Sequence, residues 1–395
     1  KLPANIIADK TSDFVILGKG FANGDILIFT PVNGTVITLI LSNVQPNQVS
    51  FKIPVDLSSG FYNIGVQRGN KSLTLGSSNI EIVFNASIPD RSGMTVKGVV
   101  YANGAGLANV VVSDGIEVTK TDANGIYYLP SAKNNGYVFV SIPGNFEVER
   151  KLSEPLFYKA LNKSAAVVEV KDFALTAVNN EKHVVMAMTD FHFANRNNDI
   201  SQFEDGLLKD VNSAIQSYSA SGTKVYGLTM GDLTWDGYWY SNNFLLNDYL
   251  TQISRINIPV FNTIGNHDND PYVANDRGSE APYRSIIGPT YYSFNLGKIH
   301  YVVLDNVEYT NAGGSQGTVG SRDYRGKVIS SQMAWLKKDL EMITDKTTPI
   351  MLAMHIQLNN APVVNSSGVQ SASLRLDNST ELINAFNGFT NVHVL

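Results

Sequence analysis

The chain has 395 residues, of which 43% are hydrophobic and 16% charged, a composition typical of a globular protein with an ample core. Its 30 basic and 35 acidic residues give a net charge of −5, and Lys and Arg nowhere form a cluster, which argues against binding to duplex nucleic acid. No apolar run approaches the roughly 18 residues that a membrane-spanning helix needs, so we expect no transmembrane segment.

Cysteine is absent, which excludes disulfides, thiolate metal sites and cysteine nucleophiles. A eukaryotic secreted protein of this length usually carries disulfides, so the chain fits either a cytosolic protein or a bacterial exported one. It begins at Lys1 without a charged and apolar leader, which indicates a removed signal segment or a trimmed terminus. Together with the β-rich first half, this predicts an exported bacterial protein, periplasmic or on the cell surface.

Residues 1–88 show short alternating apolar runs and no helical periodicity. Turn signals such as Asn23-Gly24 and Asn33-Gly34 separate the runs at roughly the 8–12-residue spacing of a β-sandwich. The pattern of Gly20-Phe21, then Gly24-Asp25, then Gly60-Phe61-Tyr62 resembles the immunoglobulin-like IPT/TIG module. The resemblance implies a spacer, or a module that docks to glycans or to a cell surface.

Residues 93–178 form a second β-rich block. Its segments Val110-Val-Val-Ser-Asp-Gly115 and Thr121-Asp-Ala-Asn-Gly125 resemble the transthyretin-like, carboxypeptidase-regulatory type of sandwich. Asp122 and Asn124 are conceivable calcium ligands, but no carboxylate-dense loop surrounds them. A tight turn is the favoured interpretation, because Asn and Gly tolerate positive φ and Asp caps the turn amides.

From residue 182 onward, strands alternate with helical segments, as in an α/β domain. Apolar residues at 203, 207, 208, 211 and 215 predict one helix, and the segment from Ser331 to Leu340 predicts a second, with Ser330 or Ser331 as its N-cap. Polar stretches at 87–93 and 178–182 mark the boundaries with the β-rich blocks. The predicted strands cover about 184–189, 225–230, 259–264, 299–304, 349–354 and 391–395.

Four of these strands are followed directly by residue types that bind metals. Four buried strands of one sheet would deliver such side chains to a single edge, where open α/β sheets place their sites. A mixed set of Asp, His and Asn suits divalent Zn, Mn or Fe. The four stretches are Asp190-Phe-His192, Gly231-Asp232-Leu-Thr-Trp-Asp236, Gly265-Asn266-His267-Asp268 and the lone His355.

This order resembles the calcineurin-like metallophosphoesterase family, whose motifs run Asp-x-His, Gly-Asp-x-x-Asp, Gly-Asn-His-Asp/Glu, His and Gly-His-x-His. The first three fall between Asp190 and Asp268, and His355 stands where the fourth should be. The resemblance implies a multidomain chain in which two N-terminal all-β sandwiches, 1–88 and 93–178, precede an α/β domain of αββα type over 182–395. The last motif would begin where the sequence ends at Leu395, so we expect the natural chain to continue and the metal site to be under-occupied here.

The resemblance also implies a role for each site residue. Asp232 would bridge two divalent metal ions, about 3.5–4 Å apart, that clamp a phosphate. Asp190 and His192 would hold the first ion, and Asn266 and His355 the second.

His267 would not bind metal in this scheme, but would protonate the leaving alkoxide as a general acid. A carboxylate usually orients such a histidine. In the family it lies three residues after the bridging Asp, whereas Asp236 comes four residues after Asp232. We nevertheless expect Asp236 to orient His267, with Asp268 as the alternative, a residue that caps its own loop.

The implied reaction is phosphoester hydrolysis by in-line attack of a metal-bound hydroxide on phosphorus, with a small phosphoester, a nucleotide or a glycan phosphate as substrate. A nucleotidase or nucleotide-sugar pyrophosphatase of the same family is one alternative, and a non-catalytic protein that binds glycans or partners through the same fold is another. The aromatic segment from Trp235 to Asn243 could stack on a substrate ring or pack a helix start on the sheet. Asn195 and Arg196 could contact phosphate oxygens or form a polar surface loop.

Overall fold

The computed structural model describes residues 5–8, 13–32, 35–52, 54, 57, 60–84, 88–102, 105–358, 363–364, 370–371 and 375–395. The Asn33-Gly34 turn lies outside these residues. The chain packs as two compact units. The first unit comprises Lys1–Asn109, Thr121–Tyr128 and Val170–Thr176, and the second comprises Val110–Lys120, Leu129–Glu169 and Ala177–Leu395. The predicted block 93–178 therefore divides between the two units, and its boundaries as a separate domain stay a prediction.

The N-terminal region contains strands and no helix among its described residues. The strands are β1 Asn5–Ala8, β2 Asp13–Leu17, β3 Ile26–Pro31, β4 Ile37–Ile40, β5 Val44–Gln45, β6 Gln48–Lys52, β7 Gly60–Arg68, β8 Lys71–Phe84, β9 Val96–Ala102, β10 Ala105–Gly106, β11 Val111–Ser113, β12 Val118–Lys120, β13 Ile126–Leu129, β14 Tyr137–Ser141, β15 Phe146–Val148, β16 Arg150–Lys151, β17 Glu154–Pro155, β18 Tyr158–Ala160, β19 Glu169–Val170 and β20 Phe173–Ala177.

The α/β region follows. Its strands are β21 His183–Met188, β22 Lys224–Met230, β23 Val260–Thr263, β24 Tyr292–Leu296, β25 Ile299–Val303, β26 Val307–Tyr309, β27 Tyr324–Gly326, β28 Ile350–Ala353, β29 Val363–Val364, β30 Gln370–Ser371 and β31 Val392–Val394. Its helices are α1 Asp199–Gln202, α2 Leu208–Ala220, α3 Leu246–Ile253, α4 Asp276–Ser279, α5 Ala281–Ile286, α6 Ser330–Glu341 and α7 Ser379–Ala385.

In the first unit, two sheets enclose an apolar core, as in a β-sandwich. One sheet has the strand order β1-β8-β7-β3-β4 and the other β2-β6-β5. Buried and less buried positions alternate along β3 and β6, which places every second side chain in the core. Leu27 of β3, Val49 of β6 and Ile64 of β7 are buried in one cluster that both sheets supply. The alternating apolar runs therefore predicted these strands correctly, and the specific IPT/TIG resemblance stays a prediction.

The Thr121–Gly125 segment forms a tight turn. The Asp122 carboxylate accepts hydrogen bonds from the backbone N–H groups of Asn124 at 2.8 Å and Ile126 at 3.0 Å. Gly125 has φ +76°, a left-handed conformation that costs glycine little. The Asp122 oxygen Oδ1 therefore serves the turn amides, as the turn interpretation expects.

Two sheets form the centre of the α/β region. The parallel sheet β21-β22-β23 lies against the sheet β24-β25-β28-β31, in which only β24 is antiparallel to its neighbour. The rings of Phe261 on β23 and Phe294 on β24 stack with centroids 3.8 Å apart, so the sheets meet face to face. All six predicted strands are present, each within two residues of its predicted ends. The predicted fold class, β-rich sheets followed by an α/β domain, is confirmed.

The helix predicted from the apolar stripe extends through three helical segments. A π-helical turn over Phe203–Leu207 joins α1 to α2. Phe203, Leu208, Val211 and Ile215 are buried as the stripe predicts, whereas Leu207 is 40% exposed. The π-helical turn adds a residue to one helical turn, which shifts the positions that face the core.

Helix α6 lies where the sequence predicts it, but its N-cap was assigned wrongly. Ser330 and Ser331 are the first two helical residues, and the capping position is taken by Ile329 in an extended conformation. The helix packs on the sheet β12-β11-β14-β18 through Trp335, whose Nε1 donates to Ser113 Oγ at 3.0 Å. None of the described helices has the length and apolar character needed to cross a bilayer.

A group of buried carboxylates in the second unit should make its stability depend on pH. Burial, together with nearby Asp276, raises the pKa of Glu280 to about 7. A carboxyl whose pKa is higher in the folded state stabilises the fold below its unfolded pKa of about 4.3, and this contribution is lost as the pH rises through about 7. The Glu280→Gln variant carries a permanently neutral group at this position. We therefore compare the free energy of unfolding of the variant with that of the unmodified protein. The difference should favour the variant more at pH 8 than at pH 4.5, by up to about 3 kcal/mol, and the melting temperatures should show the same trend.

Calorimetric melting curves between pH 4.5 and 8 would measure this difference. Glu341→Gln, an exposed substitution of the same type on α6, is the control and should follow the unmodified protein at every pH. A constant offset between Glu280→Gln and the unmodified protein would show that Glu280 does not titrate in this range.

Candidate metal centre

The predicted ligands lie at the carboxyl ends of strands from two sheets. Asp190 and His192 follow β21, Asp232 follows β22, and Asn266 follows β23, all three strands belonging to one parallel sheet. His355 follows β28, which belongs to the second sheet. The expectation that a single sheet supplies all four stretches is therefore wrong. An apolar run predicts a strand, but it does not specify the sheet in which that strand pairs.

Three of the predicted ligands have an unusual backbone. Asp190, His192 and Asp232 have φ of +54°, +48° and +53°, the left-handed region that side chains other than glycine rarely adopt. Such conformations cost roughly 1 kcal/mol or more each and persist where the surrounding structure holds them, often at functional sites.

The two predicted turn glycines are needed for close approach. A Cβ at Gly231 would lie 2.6 Å from the His355 ring, and a Cβ at Gly265 would lie 2.1 Å from the Asp232 backbone nitrogen. Both contacts are far shorter than real Cβ atoms show. The loops after β22 and β23 can therefore meet only because these residues lack side chains.

The two carboxylate oxygens of Asp232 face different histidines. Oδ2 lies 3.5 Å from His192 Nε2, which is itself 3.4 Å from Asp190 Oδ1. Oδ1 lies 3.3 Å from His355 Nε2, which is 2.9 Å from Asn266 Oδ1. Ligand atoms about 2.0–2.2 Å from one tetrahedral ion are separated by roughly 3.4 Å, which the contacts of His192 and the contact of His355 with Asp232 match. The contact of His355 with Asn266 is shorter and has the length of a hydrogen bond. The donor set of Asp, His and Asn fits divalent metal ions.

Electrostatics also favour cations between these side chains. Burial alone would raise the pKa of Asp232, but the hydrogen bond and charge of His355 lower it, so Asp232 is a carboxylate. Burial alone would lower the pKa of His355, but Asp232 raises it. His355 Nδ1 lies 2.8 Å from the Met230 carbonyl oxygen, which places a proton on Nδ1 and leaves Nε2 as the ligand atom. A divalent ion would take the place of the proton on Nε2.

His267 lies beside this group and is held by a second carboxylate. Its Nδ1 is 2.8 Å from Asp236 Oδ1, and Asp236 is 1% exposed. Burial alone would raise the pKa of Asp236, but hydrogen bonds from His267 and Arg322 lower it. Asp236 is therefore the acceptor, and the His267 Nδ1–H donates to it. The ligand atoms that His267, His192 and Asp232 offer all lie within 4.8 Å of one another, so by position His267 could also join these two residues around a metal ion.

Arg322 and Tyr309 complete the surroundings of Asp236, and sequence reasoning missed both. Arg322 Nε donates to Asp236 Oδ2 at 2.7 Å and Nη2 to Oδ1 at 2.5 Å, a two-point contact, while the Tyr309 hydroxyl donates to Oδ2 at 3.1 Å. Arg322 lies 86 residues after Asp236 on a loop without a recognisable motif. No signal in the sequence could have indicated it.

Asp268 does not orient His267 but joins the two loops. Its carboxylate accepts from the backbone N–H groups of Gly265 at 2.9 Å, Leu233 at 3.1 Å and Thr234 at 2.9 Å. The first contact is the loop cap that the sequence allowed as an alternative. The other two tie the loop after β22 to the loop after β23, which fixes the separation of Asp232 from Asn266.

Part of the aromatic segment after Asp232 packs in the core, and stacking on a substrate ring stays a prediction. Trp239 is fully buried in the apolar cluster that includes Val225 and Val260 of the sheet, and it donates from Nε1 to Thr234 Oγ1 at 2.8 Å. Trp235 is half-buried at the site, with its ring 5.1 Å from the His192 ring and 5.5 Å from the His267 ring. Asn195 is exposed, and Arg196 lies over Trp235.

Two protein-family models match the chain, one after the other along the sequence. The family described as "N terminal of Calcineurin-like phosphoesterase" matches residues 94–178, and the family described as "Calcineurin-like phosphoesterase" matches residues 183–380. No curated protein matches the chain.

Two solved structures have a low similarity to the chain. A purple acid phosphatase from seeds of yellow lupin (Lupinus luteus) is 12% identical with a TM-score of 0.33, covering 95% of this chain and 76% of the lupin chain. A pullulanase from Anoxybacillus, complexed with maltotetraose, is 9% identical with a TM-score of 0.19, covering 89% of this chain and 57% of the other. These TM-scores are too low to carry an argument.

The match over residues 183–380 spans half of the sequence and includes all seven site residues that the sequence predicts. It also agrees with the grouping of His and Asp ligand atoms at the carboxyl ends of the strands. The chain therefore belongs to the calcineurin-like phosphoesterase family and is a metal-dependent phosphoesterase.

Proposed function

We propose that the second unit hydrolyses phosphoesters of small molecules with two divalent metal ions that share Asp232. The observation that carries this proposal is the position of the two Asp232 oxygens, 3.5 Å from His192 Nε2 and 3.3 Å from His355 Nε2. Asp190 and His192 would hold the first ion, and Asn266 and His355 the second. Such ions, when bound, polarise a phosphate and supply a nucleophile from water near neutral pH.

Protonation of the leaving group would be carried out by side chains of the protein. His267 would donate a proton from Nε2 to the leaving oxygen, because its Nδ1–H is already donated to Asp236. Asp236 fixes the ring orientation, and it is fixed in turn by Arg322 and Tyr309. His267 is 21% exposed, so a substrate at the site could reach it.

Zinc, manganese and iron all suit this donor set, and both monoesters and diesters are candidate substrates. A nucleotidase or nucleotide-sugar pyrophosphatase activity would use the same site. Export and a bacterial source stay predictions, as does docking to glycans through the N-terminal sandwich.

The test combines metal analysis with turnover. The protein would be freed of metal, reloaded separately with Zn²⁺, Mn²⁺ and Fe²⁺, and assayed with p-nitrophenyl phosphate, bis-p-nitrophenyl phosphate, a nucleoside monophosphate and a nucleotide sugar. We expect hydrolysis to require metal, with up to two equivalents bound per chain. Failure of every metal to support hydrolysis of any of these substrates would contradict the proposal.

Arg322 should act as a positioning residue for His267. Replacement by Gln in Arg322→Gln removes the two-point contact that holds Asp236, so we expect kcat to fall about 10-fold while bound metal is unchanged. The loss should be larger for alkyl phosphates than for nitrophenyl phosphate, because poor leaving groups need the proton more. Steady-state kinetics over a series of leaving groups would measure this dependence.

Arg325→Gln is the matched control for this experiment. Arg325 is an exposed arginine on the same segment and pairs with Glu308 rather than with Asp236. It should leave the dependence on leaving group unchanged. Arg322→Lys keeps the charge but not the planar fork, so it should recover only part of the rate. If Arg322→Gln slows all substrates equally, Arg322 supports the fold of the loop and does not position the acid.

A further inference from the structure

Arg196 lies at the rim of the metal centre on an aromatic support. Its guanidinium carbon is 4.5 Å from the centroid of the Trp235 ring and 4.6 Å from that of Tyr238, which are cation–π distances. The Trp235 ring also contacts the rings of His192 and His267. One tryptophan thus joins Arg196 to a predicted metal ligand and to the predicted acid.

Arg196 forms no side-chain ion pair with an Asp or Glu of the described residues, in contrast to Arg322 and Arg325 nearby in the same unit. The carboxylate of Asp199 accepts a hydrogen bond from the backbone N–H of Arg196 at 3.0 Å and not from its guanidinium. Arg196 is half-buried, so it keeps a positive charge in a place that is partly shielded from water. An anion that reached it would gain more than from a fully solvated arginine.

The guanidinium carbon lies over two aromatic rings, Trp235 and Tyr238, that are perpendicular to each other. A guanidinium is a planar fork of N–H donors that can bind an anion at two points. The neighbour of this fork is the neutral side chain of Asn197, whose amide oxygen, in the orientation that satisfies both groups, accepts from Nη2 at 3.0 Å and from Nε at 3.2 Å. An amide does not cancel the charge, and it can be displaced by a phosphate that binds the fork at two points.

We propose that Arg196, supported by Trp235 and Tyr238, is a specificity-determining residue that binds a second phosphate on the leaving-group side of the substrate. This inference rests on the proposed function and deepens it, because it selects bisphosphorylated small molecules as the substrate class. The leaving-group side follows from Trp235, whose ring lies against His267. A phosphate carries up to two negative charges and matches the planar fork, so Arg196 favours it over a carboxylate.

Binding of non-hydrolysable probes tests this without turnover. Alkane-1,n-bisphosphonates with n from 2 to 6 would be titrated calorimetrically into the metal-loaded protein, beside alkyl monophosphonates and ω-carboxyalkyl phosphonates of the same lengths. We expect one spacer length at which the bisphosphonate binds at least about 10-fold more tightly than the monophosphonate, the gain of one charge-assisted two-point contact. Arg196→Gln should remove most of that advantage, and Arg196→Lys should remove part of it.

Arg91→Gln is the matched control, because Arg91 also stacks on an aromatic ring, that of Tyr128 at 3.8 Å, but in the first unit. It should keep the full advantage. The inference is overturned if no spacer length gives an advantage, if Arg196→Gln keeps it, or if the carboxylate probe gains as much as the bisphosphonate. Hydrolysis of p-nitrophenyl phosphate and binding of the monophosphonate report on the proposed function by itself. If the unmodified protein neither hydrolyses p-nitrophenyl phosphate nor binds the monophosphonate, both proposals are overturned. If it does both but gains nothing from the second phosphonate, only the role of Arg196 is overturned.

Discussion

Replacing Asp232 by asparagine should abolish turnover and weaken both metal positions. A neutral amide cannot supply two negatively charged oxygens to two dications, whereas the Asp232 carboxylate faces His192 on one side and His355 on the other. The loss of several kcal/mol of charge stabilisation corresponds to a decrease in kcat of about 10³-fold or more. Elemental analysis of the purified variant, together with hydrolysis of p-nitrophenyl phosphate, would measure both effects.

Asp205→Asn is the control for this substitution, because Asp205 is an exposed aspartate that pairs with Lys209 in the same helical stretch, away from the site. It should keep full metal content and activity. Near-normal turnover in Asp232→Asn would remove Asp232 from the mechanism. Lost turnover with both metals retained would assign Asp232 a role in the reaction other than bridging.

His267→Gln should separate acid catalysis from metal binding. We expect the variant to retain its metals, because the ligand sets around Asp232 do not need His267, and to lose roughly 10²–10⁴-fold in kcat. The loss should be greatest for alkyl phosphates and smallest for nitrophenyl phosphate, which needs no proton on its leaving group. A leaving-group series combined with metal analysis would measure the two consequences independently.

His393→Gln, a substitution of the same type at an exposed strand position, should change neither property. Loss of metal from His267→Gln would show that His267 is a ligand, a role that its closeness to His192 and Asp232 also permits. An equal decrease for all leaving groups would argue against proton donation by this residue.

The strands and the order of the site motifs could be predicted because they are local properties of the sequence. Apolar runs of four to seven residues predicted β21, β22, β23, β25, β28 and β31, and each metal-ligand stretch lies directly after one of them. The contact between His267 and Asp236 agrees with the expected pairing, although the spacing from Asp232 is one residue longer than in the family. Asp236 is the first residue of a short 3₁₀ turn, Asp236–Tyr238.

The features that the sequence did not predict depend on pairing between distant segments. The sheet that contains β28 is decided by the pairing of β28 with β25 and β31. The sequence therefore did not show that His355 follows a strand of a different sheet from the other predicted ligands. Arg322 reaches Asp236 from a loop 86 residues away, and no local pattern marks it. The Ser330 and Ser331 hydroxyls were expected to cap α6, but the chain enters the helix one residue earlier, through Ile329.

The position of His355 after a strand of the second sheet has a mechanical consequence. Asp232 and Asn266 follow strands of one sheet and His355 follows a strand of the other, so an ion held by these three residues, as proposed, would connect the two sheets. Sliding of one sheet along the other would stretch the bonds to that ion, while the ion held by Asp190, His192 and Asp232 would move with its own sheet. In the proposed arrangement the second ion would therefore cross-link the domain, and resistance of the sheets to shear and affinity for that ion would be two measures of the same set of bonds.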